Sequence, residues 1–213
     1  MTGAWFRRTT WSPSDRADFF ARLARSRSIG ARAQYLRIQP SHLQQIGTEP
    51  MYQAALELLD QLLTDYPRPV ELAMAHGQRA ECLAGLGRSE EAVAAYRAAF
   101  GVQRRFPHAI ALAHIEFAEL VLKLGRADLF SEALAVLDEF GGNEMLPILM
   151  YRYAAAHAHL CKATGNRTEA RHFARAAIAA ASKPTSGLQF HPDLGLVSTD
   201  SEELSRLWQL ARS

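Results

Sequence analysis

The sequence predicts an all-α protein built as a linear array of helical hairpins, and three observations predict it. Gly47, Gly87, Gly125 and Gly165 recur at intervals of 40, 38 and 40 residues, each between two stretches whose apolar residues follow helical spacing. Hydrophobic residues make up 48% of the chain and are rich in alanine, with few β-branched or aromatic residues, a bias toward close-packed helices over strands. At 213 residues the chain is long for one compact core but ordinary for an array in which each hairpin packs on its neighbours. One domain over residues 1–213 is expected: an N-terminal cap (1–29), repeats (30–183), an ordered loop (184–199) and a C-terminal capping helix (200–213).

Trp5, Phe6 and Trp11 open the chain in a segment too short to bury them, so they are expected to pack over the first hairpin. Left exposed beside an arginine-rich helix, they would instead form a partner surface. Ser12-Pro13-Ser14-Asp15 reads as a helix start, with Ser12 capping free N–H groups, Pro13 at the first helical position and Asp15 favouring the dipole. That helix, to Arg27, is amphipathic, with Phe19, Phe20 and Leu23 on one side. The first hairpin follows. One helix runs from Gly30 to Gly47 with a kink expected at Pro40, and a second runs from Met51 to Tyr66 with Ala55, Leu59 and Leu62 in a stripe ended by Pro67.

The second hairpin, Val70 to Arg105, turns at Gly87 and closes at Pro107. The third runs from Ala109 through Gly125 to a stop at Gly141-Gly142, with Leu134 and Leu137 on its second helix. The fourth starts near Pro147, turns at Gly165-Asn166 and carries Ala170, Ala174 and Ala177. After Pro184 the helical pattern fails, yet Leu188, Phe190, Leu194, Leu196 and Val197 are too many large apolar residues for a solvated linker. The Leu188-Gln189-Phe190 alternation suggests an extended segment, and residues 188–197 are candidates to occupy the binding face as an internal pseudo-ligand. Thr199 or Asp200 is expected to cap a last helix whose apolar face is Leu204, Leu207, Trp208 and Ala211.

In the stretch Glu81 to Phe100, Leu83 and Leu86 end one helix, Gly87 turns the chain, and Ala92, Tyr96 and Ala99 recur at i, i+4, i+7 on the next. This small-large-small order resembles the tetratricopeptide repeat, in degenerate form, over roughly residues 31–182. The glycine spacing exceeds the family's pitch of about 34 residues, and His76, Arg79 and Ala80 stand where the family has an aromatic residue and a Leu-Gly pair. The resemblance implies a right-handed α-α superhelix whose first helices line a concave groove for a partner peptide or helix. Its groove positions map onto Gln34, Arg37, Ser41 and Gln44 in the first hairpin, Met74 and Glu81 in the second, Ile115, Glu119 and Lys123 in the third, and Arg152, His159 and Lys162 in the fourth. Arg37, Arg152 and Lys162 are candidates for holding a carboxylate or phosphate, and Glu81 and Glu119 for pairing with a basic peptide. The alternative is that these charges pair with each other across adjacent helices and leave no anion site.

The expected function is that of a non-catalytic interaction module, or alternatively a regulator that binds a small anionic ligand or signalling peptide. Catalysis finds little support: GxSxG, P-loop and HExxH motifs are absent, and Gly85-Leu86-Gly87 is the hairpin turn rather than a dinucleotide fingerprint. The pairs an enzyme would require are Cys161 with His157, or Glu119 with His159. His157 and His159, two residues apart on a helix, face different ways and suit no metal, and neither a metal nor a cofactor is expected. Cys82 and Cys161 read as buried free thiols. Net charge is +2, unevenly spread: residues 1–50 carry eight Arg against Asp15, Asp18 and Glu49, or +5, and the remainder comes to −3. Without stacking aromatics among the arginines, nucleic acid is not the expected partner. No run of eighteen apolar residues occurs, so a cytoplasmic protein with no membrane partner is expected.

Overall fold

The computed structural model describes residues 5–198 and 201–213, and among them it contains helices and no strand. In chain order these are α1 (Pro13–Arg25), α2 (Ile29–Gln44), α3 (Glu49–Asp65), α4 (Pro69–Gly85), α5 (Ser89–Arg105), α6 (Ala113–Leu124), α7 (Phe130–Phe140), α8 (Pro147–Ala163), α9 (Arg167–Ala181) and α10 (Ser201–Arg212). The chain divides into two compact units, one ending at Ala113 and the other beginning at His114.

Within the first unit, α2 packs on α3, α3 on α4, and α4 on both α5 and α2. Within the second, α7 packs on α8, α8 on α9, and α10 on α9 and α8. The last helix thus relates to α9 and α8 as α4 relates to α3 and α2, the place of a next hairpin's first helix. Side-chain size sets how closely these pairs approach. Ala92 and Ala99 are 0% exposed on α5 with Tyr96 buried between them, and Ala170, Ala174 and Ala177 form the same buried row on α9.

The turns repeat in atomic detail. Gly47, Gly87, Gly125 and Gly165 all have positive φ, between 63° and 82°, the conformation that ends a helix on glycine. At three of them the next residue's N–H reaches five residues back: Arg88 to the Leu83 carbonyl, Arg126 to Val121 and Asn166 to Cys161, at 2.9, 3.1 and 2.8 Å. This is the long bond of a Schellman cap.

The N-terminal segment packs as the aromatic residues require. Trp5 contacts Phe19 and Tyr35, with ring centroids 5.2 and 4.8 Å apart, and Trp11 contacts Phe19 at 5.4 Å. Gln39, fully buried on α2, pins the segment: its Nε2 donates to the Arg8 carbonyl and its Oε1 accepts the Arg8 N–H, at 2.8 and 3.0 Å. Ser12 and Asp15 close a capping box over α1. The Ser12 hydroxyl and N–H, chief among its partners, hold the Asp15 carboxyl down to about 2. Pro40 lies inside α2, which continues to Gln44.

Two expectations about the C-terminal part are corrected. Residues 186–195 fold into turns rather than an extended strand, with Ser186 N–H bonding the Pro192 carbonyl and Leu194 N–H bonding His191. Leu207, Leu210 and Ala211 form the buried face of α10, while Trp208 is 47% exposed beneath the Arg212 guanidinium at 5.3 Å. Position 208 is rotated about 100° from 207, so Leu210 rather than Trp208 completes the i, i+3, i+4 stripe. Thr199 and Asp200 lie outside the described residues.

The tail docks on the second unit through its end. The Gly195 carbonyl accepts the Ile148 N–H at 2.7 Å, satisfying a first-turn donor of α8, and Val197 packs on the core. Gly195 has φ +68°, and a Cβ there would lie 3.1 Å from Leu146 Cβ and 3.2 Å from Ile148 Cγ2. Gly195→Ala is therefore expected to cost about 1–2 kcal/mol for the left-handed backbone alone, read by urea denaturation, and to speed proteolysis within residues 184–198. An unchanged cleavage rate would mean that Gly195 does not fix the tail.

Candidate functional site

The candidate site is the polar face of the first helices, and its side chains are largely bound to one another. In the first unit the Arg37 Nε on α2 donates to Glu71 Oε2 on α4, with both side chains mostly buried. About two turns on, Gln44 Nε2 donates to the Gln78 carbonyl at 2.7 Å. In the second unit Arg152 on α8 holds Glu119 on α6 with two bonds, of 2.8 and 2.6 Å, in the bidentate geometry suited to guanidinium and carboxylate. His159 Nε2 lies 2.6 Å from Glu203 Oε1 on α10.

These contacts place each expected residue. Glu119 and Arg152 meet, whereas Arg37, Gln44 and His159 are engaged by residues that sequence reasoning missed: Glu71, Gln78 and Glu203. Ser41 donates to the carbonyl of Ile38 on its own helix. Met74 is half-buried, and Gln34, Glu81, Lys123 and Lys162 are exposed. Ile115, expected on the groove, is 0% exposed and belongs to the core. The register slips there because His114 and Ile115 are both buried at the start of α6, leaving Glu119 as that helix's reach toward α8. Two of the missed partners, Glu71 and Gln78, had one signal. Arg37 to Glu71 and Gln44 to Gln78 are each 34 residues apart, and Glu119 to Arg152 is 33. This contact offset is shorter than the glycine spacing because facing first helices are staggered.

The tail does not fill this face. Its backbone bond to α8 is at Ile148, at the helix start, whereas Glu203 of α10 engages His159.

The two candidate catalytic pairs do not form. Glu119 is bound by Arg152 and His159 by Glu203, so neither is offered to the other. His157 is 1% exposed, stacked on Phe173 at 4.1 Å and edge-on to Tyr153 at 4.8 Å, and neither ring nitrogen has a hydrogen-bond partner. Burial pushes the Cys161 thiol up, with Glu169 and Asp138 adding to it, and burial pushes the Cys82 thiol up to about 12. Both sulfurs are held protonated, the unreactive form. Among the described residues no group of His, Cys, Asp and Glu has metal-binding geometry.

Two predictions test these assignments. Glu71 is 9% exposed, so removing its partner leaves a buried carboxylate unpaired. Arg37→Met should cost about 2–4 kcal/mol, and Glu71→Gln added to it should restore most of that loss, measured by urea denaturation. Full additivity of the two changes would show that the pair is not coupled. His157 is lowered from its ordinary value of 6.5 because burial opposes its charge more strongly than Asp138, 3.5 Å away, favours it. The unfolded chain then takes the proton first, so its contribution to stability is complete above about 6.5 and falls as pH drops toward the folded value. The denaturation midpoint should fall more steeply between pH 7.5 and 5.5 in the native chain than in His157→Phe. Equal slopes would clear His157 of the effect.

No protein-family model matches the chain, and no curated protein matches it. Among solved structures it is similar to the one described as the crystal structure of BtubC (BKLC) from P. vanneervenii, with 15% identity and a TM-score of 0.55 over 94% of this chain and 82% of that one. At that identity the likeness speaks for the helical fold alone.

Proposed function

We propose that this chain is a tetratricopeptide-like repeat protein that catalyses no reaction and holds an acidic segment of a partner protein on the first-helix face of its second unit. Support for the repeat reading comes from the Schellman caps at Gly87, Gly125 and Gly165 and from the alanine rows of α5 and α9. One observation carries the choice of partner. Lys123 in the last turn of α6 and Lys162 in the last turn of α8 are exposed and have no carboxylate partner among the described residues, while Glu119 and Arg152 on the same helices neutralise each other. Lys123 stands one turn beyond Glu119, on the same face of α6. Lys123 and Lys162 therefore offer unspent positive charge on a scaffold already ordered by its own bonds, so binding requires little further ordering.

The same reading puts the chain in the cytoplasm, in keeping with two free, buried cysteines. Among the described residues no helix is long and apolar enough to cross a membrane.

The test is capture of partners from cell lysate by the native chain, by Lys123→Glu/Lys162→Glu, and by Lys183→Glu as a charge control in the tail. Helicity of all three is checked by circular dichroism. A partner kept by the control and lost from the double variant is the expected result. Retention by the double variant would move binding away from this face.

A further inference from the structure

The first unit holds a pocket of ≈ 360 Å³ between the start of α4 and the end of α5. Its walls are hydrocarbon: Pro69 and Val70 on α4, and Phe106 and Pro107 on the chain leaving α5, with Arg105 and His108 as the polar groups. The volume lies within the range of small-molecule sites, and corresponds to roughly a dozen waters at about 30 Å³ each. Local structure holds the pocket open. Pro69 and Pro107 fix their own φ angles. Phe106 N–H is bound to the Val102 carbonyl and Ala109 N–H to the Phe106 carbonyl, both at 2.8 Å, so the segment carrying the aromatic wall is tied in place. Val70, 54% exposed, forms an apolar lip, and Ile110, 73% exposed, follows directly in the chain.

The charge at this pocket is unspent. α5 ends in Arg104 and Arg105, and the Arg105 guanidinium makes no hydrogen bond or ion pair among the described residues. Glu71, next to Val70 in sequence, is turned to Arg37 and so does not neutralise it. An apolar cavity with one free planar cation at its edge suits a ligand with both parts: a body that excludes water from the walls and a carboxylate that takes two guanidinium donors.

We propose that this pocket binds a small carboxylic acid bearing an aromatic or branched apolar tail, a ligand site separate from the partner face of the second unit. The tail occupies the space between Val70, Phe106 and Pro107, and the carboxylate pairs with Arg105. A neutral ligand of the same shape retains the apolar contacts and loses the charged one.

The probes are 4-phenylbutyrate and its neutral amide, 4-phenylbutyramide, titrated into the full chain and followed by calorimetry and by amide chemical shifts of residues 69–71 and 105–110. The acid is expected to bind about tenfold more tightly than the amide, or better, and Arg105→Gln should bring the acid down to the level of the amide. Arg105 is exposed, so this variant is expected to fold, and unchanged shifts elsewhere in the unit verify it. Equal binding of acid and amide, an Arg105→Gln variant with undiminished affinity for the acid, or no shift at these residues at about 10 mM acid would each overturn the assignment. Loss of this site would leave partner capture by the second unit untouched.

Discussion

A carboxylate carried into the seam between two packed helices has to meet a cation there, because burial without one costs several kcal/mol. Glu71 is such a group, and Arg37 one helix away answers it. The second unit repeats the device with Glu119 and Arg152, closer to solvent. These pairs fix which helix lies beside which, since a shift of one residue would turn Arg37 about 100° away from Glu71. They also decide what the first-helix face can offer a partner. A guanidinium held by two carboxylate oxygens has little left for a peptide or phosphate, so the face acts mainly as framework, and the proposed recognition falls to groups that the framework leaves unpaired.

Alanine makes this arrangement reachable. Ala92, Ala99, Ala170, Ala174 and Ala177 are each fully buried, and small side chains at these points let backbones approach until Tyr96 and Ile178 fill the remaining space. The second unit is less economical around His157. A buried imidazole with two unsatisfied nitrogens sits between Phe173 and Tyr153, where a purely apolar ring would avoid the cost of desolvating a polar one. The ring is kept neutral there and works as an aromatic in the packing.

The helices and their turns were legible in the sequence because their signals are local. A glycine after an apolar stripe, or Ser12-Pro13 before an acidic residue, encodes its structure within a few positions. The alanine stripes of α5 and α9 follow from periodicity alone. The polar face was less legible, because its partners are set by tertiary stagger. Counting back from turn glycines finds Arg37 and Gln44 but not Glu71 or Gln78, which lie opposite at an offset of 34 residues. Counting from the turn glycine points Ile115 outward to a groove position, although an isoleucine between buried His114 and Phe117 is better read as core. Hydrophobicity points Trp208 inward, yet its ring serves as a shelf for Arg212 while Leu210 takes the buried place. The pocket beside Arg105 had no sequence signal beyond its two prolines, since it arises where separate helix ends meet.

Three of the cations left unpaired by the framework share a location in the chain. Arg105 is the last residue of α5, Lys123 lies in the last turn of α6, and Lys162 lies in the last turn of α8. The carbonyl ends of helices carry a partial negative charge of about half a unit, which stabilises a cation by a few tenths to about 1 kcal/mol without neutralising it. A basic residue placed there needs no carboxylate partner for the fold to be stable. The interior positions Arg37 and Arg152 each face a carboxylate across a helix seam and are spent on it. Helix ends are thus where this architecture tolerates charge that remains available to an anion. Residues at such ends can be varied without disturbing the pairs that hold the helices of each unit in register.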